Sequence, residues 1–143
     1  MKKLFKLLFV FTFVFILSGC MKNVEKLSYT TYNEYFTKHA YDIIDNTNQH
    51  DLEVRKYIES GNGKIAFTYI EFDTEASAKK YLKNMYLVDK DNKVKEKKTY
   101  TFIKNTKNQY LKVYQVDNVI LVGFADNKKF KRDVNRVLKE LGY

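Results

Sequence analysis

The run Val119-Ile120-Leu121-Val122-Gly123-Phe124-Ala125 contains seven consecutive residues without a polar side chain. Successive side chains of a β-strand point to opposite faces of its sheet, so a strand of this composition is apolar on both faces. Strands of this kind lie at the centre of a sheet. The run therefore predicts a central strand. Ile65 to Phe72, with apolar and aromatic residues on both of its faces, predicts a second one.

Turn signals predict that these central strands have antiparallel neighbours. Asn62-Gly63, the strongest hairpin signal in the chain, follows a strand predicted over 52–59. Asp117-Asn118, a pair that tolerates positive φ, follows a strand predicted over 110–116. With a further strand over 99–104, the expected sheet is antiparallel and has about five strands.

Three stretches repeat apolar residues at the three- and four-residue spacing of a helix. Thr30 or Thr31 is the expected cap of the first, which gives way to an extended stretch near 41–45. Asp73 or Thr74 is the expected cap of the second, and Asp126 or Asn127 that of the last. The stripes are Tyr32, Phe36, His39 or Ala40, and Ile43; then Ala78, Tyr81, Leu82 and Met85; then Phe130, Val134, Val137, Leu138 and Leu141.

These elements predict an α+β fold, a two-layer domain in which an antiparallel sheet carries its helices on one face. The order of hairpin, apolar strand and helix occurs twice, over 54–86 and over 110–141. No sequence identity accompanies this pattern, which is also a common local solution.

The N-terminal residues form a different kind of segment. Lys2, Lys3 and Lys6 precede a run from Leu7 to Leu17 that is apolar except for Thr12. As a helix, these eleven residues would span roughly 16 Å, about half of a bilayer core. The segment is therefore too short to cross a membrane as a stable helix, and it is typical of a secretory signal peptide.

The four residues Leu17-Ser18-Gly19-Cys20 follow directly, and they include the only cysteine of the chain. They resemble the lipobox of bacterial lipoprotein precursors. The resemblance implies cleavage after Gly19 and a diacylglyceryl group on the Cys20 sulfur. It divides the chain into a signal peptide (1–19), a lipidated tether (20–28) and one α+β domain (29–143). The alternative is an ordinary signal peptide that has a cysteine near its end.

The mature part resembles small uncharacterised lipoproteins of low-GC Gram-positive bacteria. The similar features are the lipobox, an aromatic-rich helix after a short tether, and the ending from Val137 to Tyr143. The lipobox implies that the protein is lipid-anchored on the extracytoplasmic face of the cell membrane, with the membrane as its first partner. No activity follows from this resemblance.

The charge of the mature part is moderately basic. The leader contains three lysines and no acidic residue, so the +9 of the whole chain leaves +6 for the mature part. A basic excess suits contact with anionic headgroups or anionic wall polymer, and it also suits plain solubility. The lysine-rich loop 90–98 is either a solvated loop or such a contact. Nucleic acid is not an expected partner outside the cytoplasm.

The residue pattern does not predict an enzyme, a cofactor or a metal site. The chain has no Gly-x-Ser-x-Gly elbow and no Ser-x-x-Lys motif, and the mature part has no cysteine besides Cys20. Ser60 and Ser77 are explained by a turn and a helix start. His39 and His50, with nearby aspartates, match no known zinc spacing, and a half-buried histidine beside surface acids is the favoured interpretation.

The function expected is therefore a non-enzymatic binding or accessory module of the cell envelope, with a protein partner. One alternative is a basic structural protein that associates with anionic wall polymer or headgroups. The other is a small metal-dependent enzyme that uses His39 and His50.

A tyrosine face is the expected binding surface. In the strand over 110–116, Leu111 and Val113 alternate with Tyr110, Lys112 and Tyr114, so the two sets face opposite sides of the sheet. If the aliphatic set packs against the helices, the tyrosines and Lys112 lie on the other side, together with Tyr57. Tyrosine combines large apolar area with a hydroxyl, which suits recognition. In the alternative, these rings merely cover the sheet or lie under the first helix.

Overall fold

The computed structural model describes residues 24–50, 53–85, 99–105 and 108–143, with the backbone alone for 99–105. The predicted signal peptide, Cys20 and the loop 90–98 lie outside the described residues. The helices are α1 (Tyr29–Lys38), α2 (Glu75–Met85) and α3 (Lys131–Glu140), and the strands are β1 (Asp42–Asp45), β2 (Val54–Gly61), β3 (Ile65–Phe72), β4 (Thr99–Asn105), β5 (Tyr110–Val116) and β6 (Val119–Ala125). None of the helices in these ranges is long and apolar enough to cross a membrane.

All six strands form one antiparallel sheet in the order β1-β2-β3-β6-β5-β4. The two strands with apolar residues on both faces, β3 and β6, are its central pair, with Tyr69 opposite Leu121. Gly63 closes the β2–β3 hairpin at φ 75°, and Asp117 closes the β5–β6 hairpin at φ 51°. The α+β class, the five expected strands and both hairpins are confirmed, and β1 adds a short edge strand in the expected extended stretch.

The helix caps follow simple turn chemistry. Thr74 caps α2, because its hydroxyl accepts a hydrogen bond from the Ser77 N–H at 3.1 Å. Asn127 accepts one from the Lys129 N–H at 3.0 Å and starts the 3-10 turn that leads into α3. The cap of α1 is Ser28, whose hydroxyl accepts from the Thr31 N–H at 3.1 Å, and neither Thr30 nor Thr31 has that role.

The helices divide between the two faces of the sheet, which corrects the expectation that all of them lie on one face. Helices α1 and α3 pack on the face that carries Phe67 and Leu121, whereas α2 packs on the face that carries Ile70 and Ile120. Residue parity supplies the reason, since neighbouring side chains point to opposite faces. Strand β3 ends on Phe72, which belongs to the α2 face, whereas β6 ends on Ala125, which belongs to the α1–α3 face.

Aromatic rings fill the α1–α3 face, and their hydroxyls bond to main-chain atoms. Tyr32, which is fully buried, donates to the Phe67 carbonyl at 3.0 Å. Tyr69 donates to the carbonyl of Leu27 at 3.3 Å, and the Leu27 N–H donates to the Tyr143 hydroxyl at 3.1 Å. Since Leu27 is also 5% exposed, the last residues of the expected tether are packed onto the domain.

The close approach of α3 to the sheet depends on Gly123. A Cβ at this position would lie 2.7 Å from Val134 Cγ1 and 3.2 Å from Leu138 Cδ1, closer than carbon atoms tolerate. Val134 and Leu138 are fully buried, as the stripe predicts, while Phe130 and Leu141 at its ends are half-buried. Glycine in β6 therefore lets the helix lie directly on the strand.

Candidate functional site

An open cleft of about 430 Å³ lies on the α2 face of the sheet, between that helix and the start of β2. The floor is apolar and the rim is polar, with groups from the helix, the strand and the loop before it. The lining residues are His50, Glu53, Val54, Phe72, Ser77, Lys80, Tyr81 and Asn84. A cleft of this size with a few convergent polar groups is the usual form of a small-ligand site.

One side of α2 forms the helical wall of the cleft. Ser77, Lys80, Tyr81 and Asn84 recur at spacings of three and four, which places them on one side of the helix. The buried residues of the same helix, Ala78 and Leu82, pack on the sheet beside them. The helix thus presents a polar row along the edge of its own contact with the sheet.

His50, which lines the cleft, belongs to a stacked pair of rings. The His50 ring lies over the Tyr57 ring with centroids 3.7 Å apart and planes 22° from parallel. The 3-10 turn Thr47–Gln49 holds this pair, because the Thr47 hydroxyl accepts a hydrogen bond from the Tyr57 N–H at 2.9 Å. Hydrogen bonds from Thr47 lower the pKa of Asp45 at the start of this turn. Burial raises the pKa of Tyr57, and the nearby Glu59 charge adds to this.

Charges of both signs lie on the rim and take part in no ion pair of the described ranges. Within the described part of the chain, ion pairs join Arg55 to Asp73, Lys79 to Glu75, and Arg136 to Asp133. Lys80 and Glu53, on the helical and strand sides of the cleft, belong to none of these pairs, and both are exposed. The cleft therefore offers an ammonium and a carboxylate to a ligand above an apolar floor.

The predicted tyrosine face does not form one surface. Tyr57 lies beside the cleft on the α2 face, whereas Tyr110 and Tyr114 lie on the opposite face under α1 and α3, 1% and 7% exposed. Lys112, also on that face, donates to Asn135 Oδ1 of α3 at 3.3 Å. The alternation itself is as expected. The prediction that the aliphatic side of β5 packs against all the helices and leaves the tyrosine side uncovered is corrected. Helices α1 and α3 cover the tyrosine side of β5, and α2 covers the aliphatic side.

The histidines are not arranged as metal ligands in the described ranges. No group of three or more His, Cys, Asp or Glu side chains there could hold a metal ion. The exposed His39 ring lies 4.3 Å from that of Tyr35, and His50 stacks on Tyr57. Ser77, interpreted as part of a helix start, bonds to Thr74 as expected and also lines the cleft.

Sequence reasoning missed the cleft although part of its signal is local. The polar row of Ser77, Lys80 and Asn84 runs beside the apolar stripe of α2 and is visible in the sequence. His50 and Glu53 reach the same place only because β2 and β3 pair, with the Asp73 N–H donating to the Glu53 carbonyl at 3.0 Å. No local pattern links these two groups of residues.

Comparison with known proteins gives no relative for this chain. No protein-family model matches it, and no curated protein and no solved structure is significantly similar to it. The functional argument therefore rests on the site itself, because a fold class alone hosts many functions.

Proposed function

We propose that this protein is a lipid-anchored, non-enzymatic binding module on the extracytoplasmic face of the cell membrane, and that the cleft beside α2 holds its ligand. The observation that carries the proposal is that Lys80 and Glu53, which belong to no ion pair in the described part of the chain, line the same cleft above an apolar floor. Phe72 in that floor is 2% exposed, so the floor is a rigid part of the core. Pre-formed walls reduce the ordering cost of binding.

The charges indicate a zwitterionic ligand, such as an amino acid or the end of a short peptide. A carboxylate would pair with Lys80, and an ammonium group with Glu53 on the opposite rim. Val54 and Phe72 would contact the apolar part of the ligand. The His50 ring, which is stacked on Tyr57, would lie beside it. Charge-assisted hydrogen bonds of this kind are about twice as strong as neutral ones.

The anchor follows from the lipobox and places the domain close to the lipid. Leu27 is the first buried residue of the described chain and lies seven residues after Cys20. Seven extended residues reach at most about 25 Å. Two acyl chains on Cys20 would give stable attachment, whereas one chain binds only reversibly.

The anchor is tested by the variant Cys20→Ala. We expect it to lose labelling by a fatty-acid probe and to accumulate as an uncleaved precursor, because the sulfur that accepts the diacylglyceryl group is absent. Normal labelling of the variant would contradict the anchor.

The cleft is tested by NMR of the purified protein in detergent micelles with a panel of free amino acids and dipeptides. We expect shifts confined to residues around His50 and α2, and their loss in Lys80→Gln and in Glu53→Gln. Lys83→Gln is the matched control, because Lys83 is exposed on the same helix and does not line the cleft. Equal losses in the control and the cleft variants, or no shifts with any member of the panel, would overturn the proposal.

A further inference from the structure

Cations from three elements gather at one end of the sheet, in a surface that we call the distal basic patch. Its centre is the segment Lys128-Lys129-Phe130-Lys131-Arg132, which forms a 3-10 turn and the first residues of α3. Lys112 of β5 and Lys64 of the β2–β3 turn lie next to it. Lys64, Lys128, Lys129 and Arg132 are exposed, and Lys112 and Lys131 are half-exposed.

Contacts place Lys131 and Lys112 on one surface. The Lys131 ammonium lies 5.3 Å from the centroid of the Tyr110 ring. The Tyr110 hydroxyl donates to Asn135 Oδ1 at 2.9 Å, and the Lys112 ammonium donates to the same oxygen at 3.3 Å. On the other flank, Lys64 lines a shallow pocket together with Asp126, two residues before Lys128.

Ion pairing does not account for this charge. The ion pairs of the described ranges include none of the six cations, and the Asp133 carboxylate is paired with Arg136 at 3.4 Å. Cations near the start of a helix also meet the positive end of its dipole, which is mildly unfavourable. The fold thus exposes several cations at the start of a helix without an acidic partner in the described ion pairs.

The patch lies at the opposite end of the sheet from the entry of the tether. At the tether end, the Lys26 ammonium donates to Asn118 Oδ1 at 3.2 Å, in the turn just before β6. Strand β6 then runs from Val119 to Ala125, roughly 20 Å at the usual rise per residue, and the basic segment follows. Because the field of a charged surface falls off within about 8 Å at physiological salt, headgroups at the point where the tether enters the domain exert little attraction on the patch.

We infer that the distal basic patch binds a flexible anionic polymer that carries a phosphate on each repeating unit, on the side of the domain that faces away from the membrane. Exposed cations spread over an open surface fit a chain of charges better than they fit a single small anion. The lysines would act as point charges for successive phosphates. The planar guanidinium group of Arg132 would donate two parallel hydrogen bonds to one of these phosphates. The orientation away from the membrane rests on the proposed anchor, whereas the binding itself does not.

Binding to linear inorganic polyphosphate tests the inference, with the full lipidated protein in nonionic detergent micelles over a range of salt concentrations. The variant Lys128→Gln/Lys129→Gln/Arg132→Gln removes three exposed cations from the patch. The matched control Lys38→Gln/Lys83→Gln/Lys139→Gln removes three exposed cations elsewhere, so the two variants have the same net charge. Thermal unfolding of both checks that they are folded.

We expect the patch variant to bind polyphosphate about tenfold or more weakly and to lower the slope of log affinity against log salt by about 2 to 3, while the control changes little. Equal weakening in both variants would show a net-charge effect and overturn the inference, as would no weakening in either. A second arm uses anionic phospholipid vesicles, and patch-dependent vesicle binding as tight as polyphosphate binding would overturn the choice of polymer over headgroup. The difference between the patch variant and its control depends neither on the cleft nor on lipidation of Cys20, which both variants share, so each proposal can fail separately.

Discussion

The two hairpin–helix units of this protein, β2–β3–α2 and β5–β6–α3, follow the same local plan and end on opposite faces of one sheet. Each has a tight turn, an apolar central strand and a short polar cap before its helix. Helix α3 shares its face with α1, and together they close an aromatic layer. On the other face, α2 is the only helix in the described part of the chain. The cleft opens along the edge of α2.

This difference shows how one plan yields both a closed core and an open site. On the α1–α3 face, Val134 and Leu138 have no exposed surface. On the α2 face, Tyr57 and Leu111 pack against the core and remain half-exposed. The number of helices on a face, more than the composition of the strands, thus determines where a ligand can enter.

The largest expected effect is that of Val134→Asp in α3. The carboxylate would be buried without a partner on the closed face, at a cost of several kcal/mol against a total stability of about 5–15 kcal/mol. We expect little folded protein by circular dichroism. Lys139→Asp, at an exposed position of the same helix, is the control and should melt nearly as the parent does. A parent-like melting temperature for Val134→Asp would show that α3 does not close this face.

The contrast between the faces is sharpened by Tyr114→Ser and Tyr57→Ser. Tyr114 is 7% exposed and packs on Tyr143 with ring centroids 5.0 Å apart, so we expect a loss of about 3 kcal/mol in the free energy of unfolding. Tyr57 is half-buried, so Tyr57→Ser should lower the free energy of unfolding by about 1 kcal/mol. The same substitution should also weaken ligand binding at the cleft. Urea titration measures both, and equal losses would remove the distinction between the two faces.

Alkaline pH should lower the free energy of unfolding through buried tyrosines on the α1–α3 face. Burial raises the pKa of Tyr143 to about 12, and the unfolded chain ionises near 10. The unfolded state therefore binds fewer protons between these values, so stability is complete below about pH 10 and falls as pH rises to about 12, by about 2–3 kcal/mol. Burial also raises the pKa of Tyr69 on this face. Tyr143→Phe should flatten the decline in urea titrations at successive pH values, and an unchanged decline would contradict this origin.

An effect about as small as that of Tyr57→Ser is expected for Gly123→Ala, which probes the contact of α3 with β6. The added Cβ would lie 2.7 Å from Val134 Cγ1, and overpacking of this kind costs about 1–3 kcal/mol. Alanine also restricts the unfolded chain more than glycine does, which offsets about 0.4–1 kcal/mol of this cost. We therefore expect the free energy of unfolding to fall by about 1 kcal/mol. Val134→Ala removes the clashing methyl, and the double variant should be more stable than the sum of the two changes predicts. Simple additivity would mean that helix and strand are not in this contact.

The local features of the fold were predictable from the sequence because their causes are local. Alternation places Leu111 and Lys112 on opposite faces whatever covers those faces. Turn chemistry places the hairpins at Gly63 and Asp117, because these positions need positive φ. The stripe of α3 identifies Val134 and Leu138 as core residues for the same reason, since helical spacing alone puts them on one side.

Only the tertiary structure determined which face each helix covers, and with it the location of the candidate site. Strands β3 and β6 are apolar on both faces, so their sequences accept a helix on either side. The sequence therefore left open whether Tyr114 or Val113 lies under α3. The cleft depends on the same choice, because His50 and Glu53 meet Lys80 only when α2 packs on the Tyr57 side of the sheet. Contacts between residues far apart in the chain carry no local periodicity, and the packing of the whole domain selects among them.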